Sequence, residues 1–158
     1  INNLLKAIKI FNKYFFIFTY PNSDIGSNEI LDAIKLFTKN NKSSILIKSA
    51  GRVDYLSLLK YSFGLIGNSS SCLVEAPALN LPSINIGNRQ SGRPNAKSVI
   101  SCNSSIEEIK DSIRKIDNVE KTQNISYKGN NKVGAILKAL QTQELNNIKF
   151  KKFHDINQ

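Results

Sequence analysis

The chain has 158 residues, enough for one domain with a sizeable core but too few for two comfortable ones. Its 41% hydrophobic and 22% charged residues are ordinary for a globular domain, and no apolar run approaches the roughly 18–20 residues that span a membrane. The net charge of +10 favours an anionic partner, but the lysines are scattered and no aromatic-rich basic patch accompanies them, which argues against nucleic acid.

The start of the chain and its cysteines restrict the setting further. The chain begins with Ile1 and contains no methionine, so we expect it to be a fragment of a longer protein. Cys72 and Cys102 have no metal-like spacing and are too few for a disulfide framework, which predicts the reducing cytoplasm and no metal site. His154, the single histidine, has no carboxylate pattern around it and receives no role.

Apolar segments of strand length alternate along the chain with amphipathic segments of helical spacing. In chain order the pattern predicts a helix over 2–13, strand 15–20, helix 27–39, strand 45–47, a helix around 55–59, strand 63–67, a helix over about 70–79, strands 83–87 and 98–102, and helices over 105–117 and 131–141. The uninterrupted apolar run before Pro21 further predicts that the first strand is buried on both faces.

This alternation indicates right-handed crossovers and a parallel sheet with helices on both faces. We therefore predict an α/β fold, a doubly wound, Rossmann-like domain over residues 1–143, with a tail at 144–158 that packs on another part of the protein. Sheets of this kind bind ligands beyond the carboxyl ends of their strands. A functional site is thus expected in the loops near 21–28, 48–52, 67–71 and 87–95.

The strongest local signal is the segment 64–79, GLIGNSSSCLVEAPAL. Ser69, Ser70 and Ser71 precede a predicted helix, where free N–H groups, the helix dipole and the hydroxyls favour an anion. Glu75 follows Ser71 by four residues, and a carboxylate on that face could accept hydrogen bonds from ribose hydroxyls. The pattern indicates a nucleotide site, although simple helix capping would use the same serines. Pro77 is expected to kink or shorten this helix.

Two further loops follow predicted strands. In the segment 85–93, NIGNRQSGR, Arg89 and Arg93 are four residues apart among glycines and could wrap a phosphate or carboxylate. A solvated surface loop is the alternative explanation. In the segment 20–27, YPNSDIGS, Asn22 and Asp24 by themselves favour ordinary turn chemistry.

In this order, the three segments resemble the hydrolysing UDP-N-acetylglucosamine 2-epimerase family of bacteria. The C-terminal half of that family typically reads YPN-x-D-x-G-S, then GNSSSG-x-x-EAP, then P-x-(I/V)-N-(I/L)-G-x-RQ-x-GR. The segment YKGNNKVGAILKAL and the terminal KKF are also similar, so the resemblance covers nearly the whole chain. Cys72 departs from the pattern, because the family usually has glycine there, and its side chain could tighten the helix start against a diphosphate.

The resemblance implies the C-terminal half of a GT-B fold, in which two Rossmann-like domains enclose a cleft and the C-terminal one holds UDP. It also implies the missing N-terminal domain as a partner, a homo-oligomer, and neither a cofactor nor a nucleic-acid or membrane partner. In the family arrangement, Ser69 and Ser70 would bind the diphosphate with Ser71 nearby, and Glu75 would hold the ribose. Arg89 would meet phosphate, with Gln90 and Arg93 supporting its loop. Asn22 and Asp24 would lie on the rim of the nucleotide site.

The activity implied is hydrolysis of UDP-N-acetylglucosamine to N-acetylmannosamine and UDP, through loss of UDP and a glucal intermediate, in sialic-acid-type sugar biosynthesis. The acid and base groups of that family come from upstream of Ile1, so we expect no catalytic residue in this chain and no activity from it alone. Three alternatives stay open: a UDP-diacetamido-trideoxyhexose substrate, a GT-B glycosyltransferase, and a sensor that only binds UDP-sugar.

Overall fold

The computed structural model describes residues 1–120 and 132–142, which belong to two compact units, residues 1–127 and 128–158. The first unit contains α1 (Asn2–Ile8), β1 (Phe16–Thr19), α2 (Ser27–Asn40), β2 (Ser44–Ile47), α3 (Gly51–Tyr61), β3 (Leu65–Gly67), a 3-10 turn (Ser70–Cys72), α4 (Glu75–Ala78), β4 (Ser83–Ile86), β5 (Val99–Cys102), α5 (Ile106–Lys115) and a second 3-10 turn (Ile116–Asn118). The described part of the second unit is α6 (Lys132–Thr142).

All strand pairs in the described residues are parallel. They form a two-stranded sheet, β1-β2, and a three-stranded sheet in the order β3-β4-β5. Ser83 of β4 lies opposite both Leu65 of β3 and Val99 of β5, so the carboxyl ends of these three strands meet at one edge. The predicted α/β architecture with parallel strands is confirmed, and it brings the loops after β3 and β4 side by side.

The core is built on both faces of β4, the middle strand. Ile84 is fully buried in a cluster with residues of α1, α5 and the turn that follows α5, namely Leu5, Ala7, Ile8, Ile109, Ile113 and Ile116. Because side chains alternate along a strand, Ser83 points to the opposite face, where its hydroxyl donates to the Cys72 carbonyl at 2.6 Å. Helical segments therefore cover β4 from both sides, as the doubly wound prediction requires.

The start of α5 shows how local sequence fixes an element on this core. The Ser105 side chain accepts a hydrogen bond from the Glu108 backbone N–H and caps the helix. The Glu108 carboxylate in turn accepts from the Asn103 backbone N–H at 3.0 Å, and this bond leads the causes that lower the pKa of Glu108. Cap and carboxylate together tie α5 to the end of β5, and Ile109 and Ile113 then fall on its buried side.

The predicted continuous helix over 70–79 is wrong. The chain forms a 3-10 turn at Ser70–Cys72 and then a single α-helical turn at Glu75–Ala78. Pro77 has no N–H with which to reach the Leu73 carbonyl, so a regular helix cannot run through this position. The first helix is also shorter than predicted, since α1 ends at Ile8 and single turns at Phe11 and Tyr14 follow it.

The prediction that the first strand is buried on both faces is also wrong. Phe16 and Phe18 of β1 pack against the core cluster, but Ile17 is 45% exposed and Ile45 of the neighbouring β2 is 46% exposed. Helix α3 packs Leu59 onto Ala76 and Leu81. Its Leu58 and Tyr61 line an open cleft with Ile17, so α3 covers this face of the β1-β2 sheet only in part.

The second unit is described only through α6. Its apolar residues Val133, Ile136, Leu137 and Leu140 recur at helical spacing and are exposed. No helix in the two described ranges is long and apolar enough to cross a membrane. The tail 144–158 and His154 lie outside the described residues, and the predicted division of the chain after residue 143 stays a prediction.

The placement of β4 predicts a large effect of truncating its central side chain. Ile84→Ala should lower the free energy of unfolding by about 2–5 kcal/mol, because it removes buried atoms and leaves a cavity. Ile25→Ala is the matched control, since Ile25 is fully exposed and a surface change of this kind is usually worth less than about 0.5 kcal/mol. Urea unfolding of the two variants measures both values, and equal losses would contradict this core.

Candidate functional site

The three loops singled out by sequence lie beyond β1, β3 and β4. The turn after β3 begins with Ser69, which has extended backbone and whose hydroxyl accepts a hydrogen bond from the Ser71 N–H at 3.3 Å. Ser69 is exposed, while Ser70 and Ser71 are half-buried. The serine N-cap is confirmed, but it opens a 3-10 turn of only three residues, which lacks the dipole of a long helix. The serine hydroxyls remain as potential donors to an anion.

This serine turn, residues 69–71, is held against β4 through the residue that follows it. The Cys72 carbonyl accepts from Ser83, and the Cys72 thiol donates to the Ile84 carbonyl at 3.7 Å. Cys72 is fully buried, and burial raises the pKa of its thiol to about 12, with the nearby Glu75 carboxylate adding to the rise. The side chain that stands where glycine was expected therefore fills the interior behind the turn and does not reach its exposed side.

Glu75 opens α4 next to the serine turn and is half-buried. Its Oε2 atom is buried and has no hydrogen-bond partner within the described part of the chain. Tyr55 of α3 lies beside it: burial raises the pKa of Tyr55, a hydrogen bond with the Ser71 side chain lowers it, and the Glu75 charge raises it. A buried carboxylate oxygen without a donor is costly, so this position favours a ligand that brings hydroxyl groups.

Gln90 joins the loop after β4 to the turn after β3. It is 7% exposed, and its Nε2 donates to the Asn68 carbonyl at 2.9 Å, one residue before Ser69. Its Oε1 is buried without a partner in the described residues. This one side chain ties the two loops together, which is how Gln90 would support the loop that carries Arg89.

Arg89 joins the same loop to the one after β1. Its Nη2 lies 3.7 Å from Asp24 Oδ2, in an ion pair whose two side chains are 52% and 70% exposed. Asn22 lies two residues before Asp24, exposed in the same loop. The structure therefore brings all three predicted segments together, through Asn68, Gln90, Arg89 and Asp24 in turn.

Arg93 is placed differently from the other candidates. It is exposed and lines a cavity of about 370 Å³ between the loop after β4 and the end of β5. Gln90 also borders this cavity, whereas the serine turn and Glu75 do not. Gly87 and Gly92 flank the loop with left-handed backbone, at φ 78° and 79°, which glycine adopts without strain.

Sequence reasoning missed two contributors to this site. Tyr55 was expected only as part of the helix predicted around 55–59, and no local pattern marked its proximity to Ser71. Asn68 contributes through its backbone carbonyl, which any residue type would supply, so no sequence signal could have identified it. No group of three or more His, Cys, Asp or Glu in the described ranges is arranged to hold a metal ion.

The strand ends and the loops beyond them define a class of protein. Parallel strands, helices on both faces and polar loops gathered at the strand ends are the arrangement of a Rossmann-like domain that binds its ligand at that edge. A structure search agrees: the UDP-GlcNAc 2-epimerase of Methanocaldococcus jannaschii, in complex with UDP-GlcNAc and UDP, matches with a TM-score of 0.68 at 20% identity, over 90% of this chain and 39% of that one. The fold is that of the C-terminal half of a GT-B protein.

The sequence comparisons name the family. The model of the UDP-N-acetylglucosamine 2-epimerase family matches residues 1–141, and the chain belongs to that family. "Polysialic acid biosynthesis protein P7" of Escherichia coli is 50% identical over 101 residues, 63% of this chain and 26% of that protein. "GDP/UDP-N,N'-diacetylbacillosamine 2-epimerase (hydrolyzing)" of Campylobacter jejuni is 36% identical over 127 residues, 78% of this chain and 32% of that protein. The chain thus spans about a quarter to a third of the length of these relatives.

The burial of Cys72 predicts its chemical reactivity. In a Cys102→Ser variant, which leaves Cys72 as the single thiol, a thiol reagent at pH 8 should modify almost no protein while the chain is folded. The reason is that Cys72 is inaccessible and its pKa of about 12 keeps the reactive thiolate scarce. Modification in urea should proceed to one thiol per chain. Rapid modification of the folded variant would mean that Cys72 faces the serine turn.

Proposed function

We propose that this chain is the UDP-binding part of a hydrolysing UDP-N-acetylglucosamine 2-epimerase, which converts UDP-N-acetylglucosamine and water to N-acetylmannosamine and UDP in sialic-acid-type sugar biosynthesis. Membership of the family and the likeness to the Escherichia coli polysialic acid protein support the proposal. The two unpaired cysteines support the cytoplasm as its compartment.

The observation that carries the proposal is the unpartnered, buried Oε2 of Glu75 beside the serine turn. Ribose offers two adjacent hydroxyl donors, which a single carboxylate can accept together. In this proposal Ser69 and Ser70 bind the diphosphate that continues from the ribose, with Ser71 beside Tyr55. The loop that carries Arg89 is tied by Gln90 to Asn68, the residue before the serine turn, which supports a role of Arg89 at the same phosphate.

These groups suit the departure of UDP from the sugar. Removal of the proton at C2 and cleavage of the bond between C1 and the β-phosphate oxygen would give a glucal and UDP. Water then adds to the glucal. The leaving diphosphate accumulates negative charge, which the Arg89 guanidinium and the serine hydroxyls would stabilise. Arg93 and Gln90 support that loop, and Asn22 and Asp24 form the rim. We infer that the acid and base groups lie outside this chain, and that the chain alone binds UDP without turning substrate over.

A second substrate is favoured by one observation. The Campylobacter jejuni relative, whose name gives a diacetylbacillosamine substrate and a hydrolysing reaction, aligns with 78% of this chain. A UDP-diacetamido-trideoxyhexose would present the same uridine and diphosphate to Glu75, the serine turn and Arg89. The two sugars differ beyond the diphosphate, so the same UDP site serves both proposals.

The proposed site predicts the effect of removing each charge. Calorimetric titration should show saturable UDP binding by the wild-type chain, weakened by about 1–3 kcal/mol in Glu75→Gln and in Arg89→Gln, because charge-assisted hydrogen bonds are worth that much. Matched controls are Glu107→Gln and Arg114→Gln on α5, whose side chains are exposed and pair with Lys110 and Asp111. The controls should bind UDP as the wild type does, and equal losses in all four variants would disprove the site.

The reaction itself is tested on the whole protein that contains this chain. Incubation with UDP-N-acetylglucosamine and no acceptor should release UDP and free N-acetylmannosamine in equal amounts, and Glu75→Gln should mainly raise KM because the ribose contact is present in substrate and transition state alike. UDP-diacetamido-trideoxyhexose is the competing substrate in the same assay. Release of UDP only in the presence of a sugar acceptor would instead identify a glycosyltransferase.

A further inference from the structure

The ion pair between Asp24 and Arg89 places a negative charge on the group that would hold phosphate. Arg89 Nη2 lies 3.7 Å from Asp24 Oδ2, too far for a hydrogen bond, and both side chains are largely exposed. Within the described residues this is the one ion pair that Arg89 makes. An exposed pair at such a distance is weak, so it can be exchanged for a better anion.

The surroundings of the pair allow that exchange without rearranging the loop. Gln90 is buried and bonded to Asn68, so the backbone next to Arg89 is anchored while the Arg89 side chain remains exposed. Gly26 and Gly87, each two residues from one member of the pair, adopt left-handed backbone at φ 84° and 78°. The exposed Arg89 side chain can leave Asp24 by rotation about its own bonds, while the backbone beside it stays anchored.

We propose that Asp24 is an intramolecular competitor for Arg89, which holds the guanidinium when the site is empty and takes it back when the diphosphate leaves. The inference rests on the proposed function, in which Arg89 meets the diphosphate of UDP. It changes the role of Asp24 from a contact on the rim to a group that weakens UDP binding. Such a competitor favours a reaction in which UDP is a product, because a product must be released before the next substrate binds.

The charges of Asp24, Arg89 and the diphosphate set the sign of the expected effect. Bound UDP must break the Asp24–Arg89 pair and also lie near the Asp24 carboxylate, whose charge repels the diphosphate. Asp24→Asn removes both penalties and keeps the size of the side chain. If Asp24 instead contacted the nucleotide directly, the same substitution would weaken binding.

The test is titration of UDP into the 158-residue chain and its Asp24→Asn variant. We expect Asp24→Asn to lower the Kd for UDP about two- to fivefold, the range that an exposed ion pair allows, and to leave the Kd for uridine unchanged because uridine has no phosphate. The gain should shrink as salt is raised from low ionic strength, since exposed charges are screened. Loss of the gain in the Arg89→Gln background would show that it acts through Arg89.

Asp32→Asn is the matched control, because Asp32 is an exposed aspartate on α2 that pairs with Lys35 at 3.4 Å and its loss changes the net charge equally. Weaker UDP binding by Asp24→Asn, a gain no larger than that of Asp32→Asn, or a gain that persists without Arg89 would each overturn the inference. Any of these results with UDP bound normally by the wild type would leave the proposed function standing. Absence of UDP binding by the wild type would overturn both.

Discussion

The site depends most on one hydrogen bond, from Gln90 Nε2 to the carbonyl of Asn68 at 2.9 Å. Parallel pairing of β3 with β4 brings the carboxyl ends of these strands to one edge, but it does not fix how the following loops meet. The buried Gln90 side chain fixes how these loops meet, because it ties the loop that carries Arg89 to the residue just before the serine turn. A shorter side chain at position 90 could not span the same gap, and the arginine would then have no defined relation to the serines.

A second constraint comes from the interior behind the turn. Ser83 and the Cys72 thiol attach the turn to β4, whose other face carries Ile84 into the main core. The same strand therefore stabilises the domain and positions the serines. The consequence is that Cys72, the one departure from the family pattern in this segment, is a packing residue of the core and leaves the exposed side of the turn free for a ligand.

Much of this arrangement could be predicted from sequence, for identifiable reasons. The alternation of apolar strands and amphipathic helices is a property of each segment by itself, so the α/β class and most element positions follow from it. The three loops were found because motif and strand end coincide. Local pattern failed where long-range packing decides the outcome: α3 covers one face of β1 only in part because its Leu59 packs toward Ala76, and Tyr55 comes to lie beside Ser71 from a distant helix. The interrupted helix is an intermediate case: Pro77 predicts that the helix is kinked or shortened, but not where the interruption lies.

The central claim is that Glu75, the serine turn and Arg89 form one site for UDP. The most direct measurement is a crystal structure of the chain grown with UDP. The account predicts both ribose hydroxyls within hydrogen-bond distance of the Glu75 carboxylate, with the diphosphate between the serine hydroxyls and Arg89. Nucleotide bound in the cavity beside Arg93, with Glu75 Oε2 still unpartnered, would contradict it.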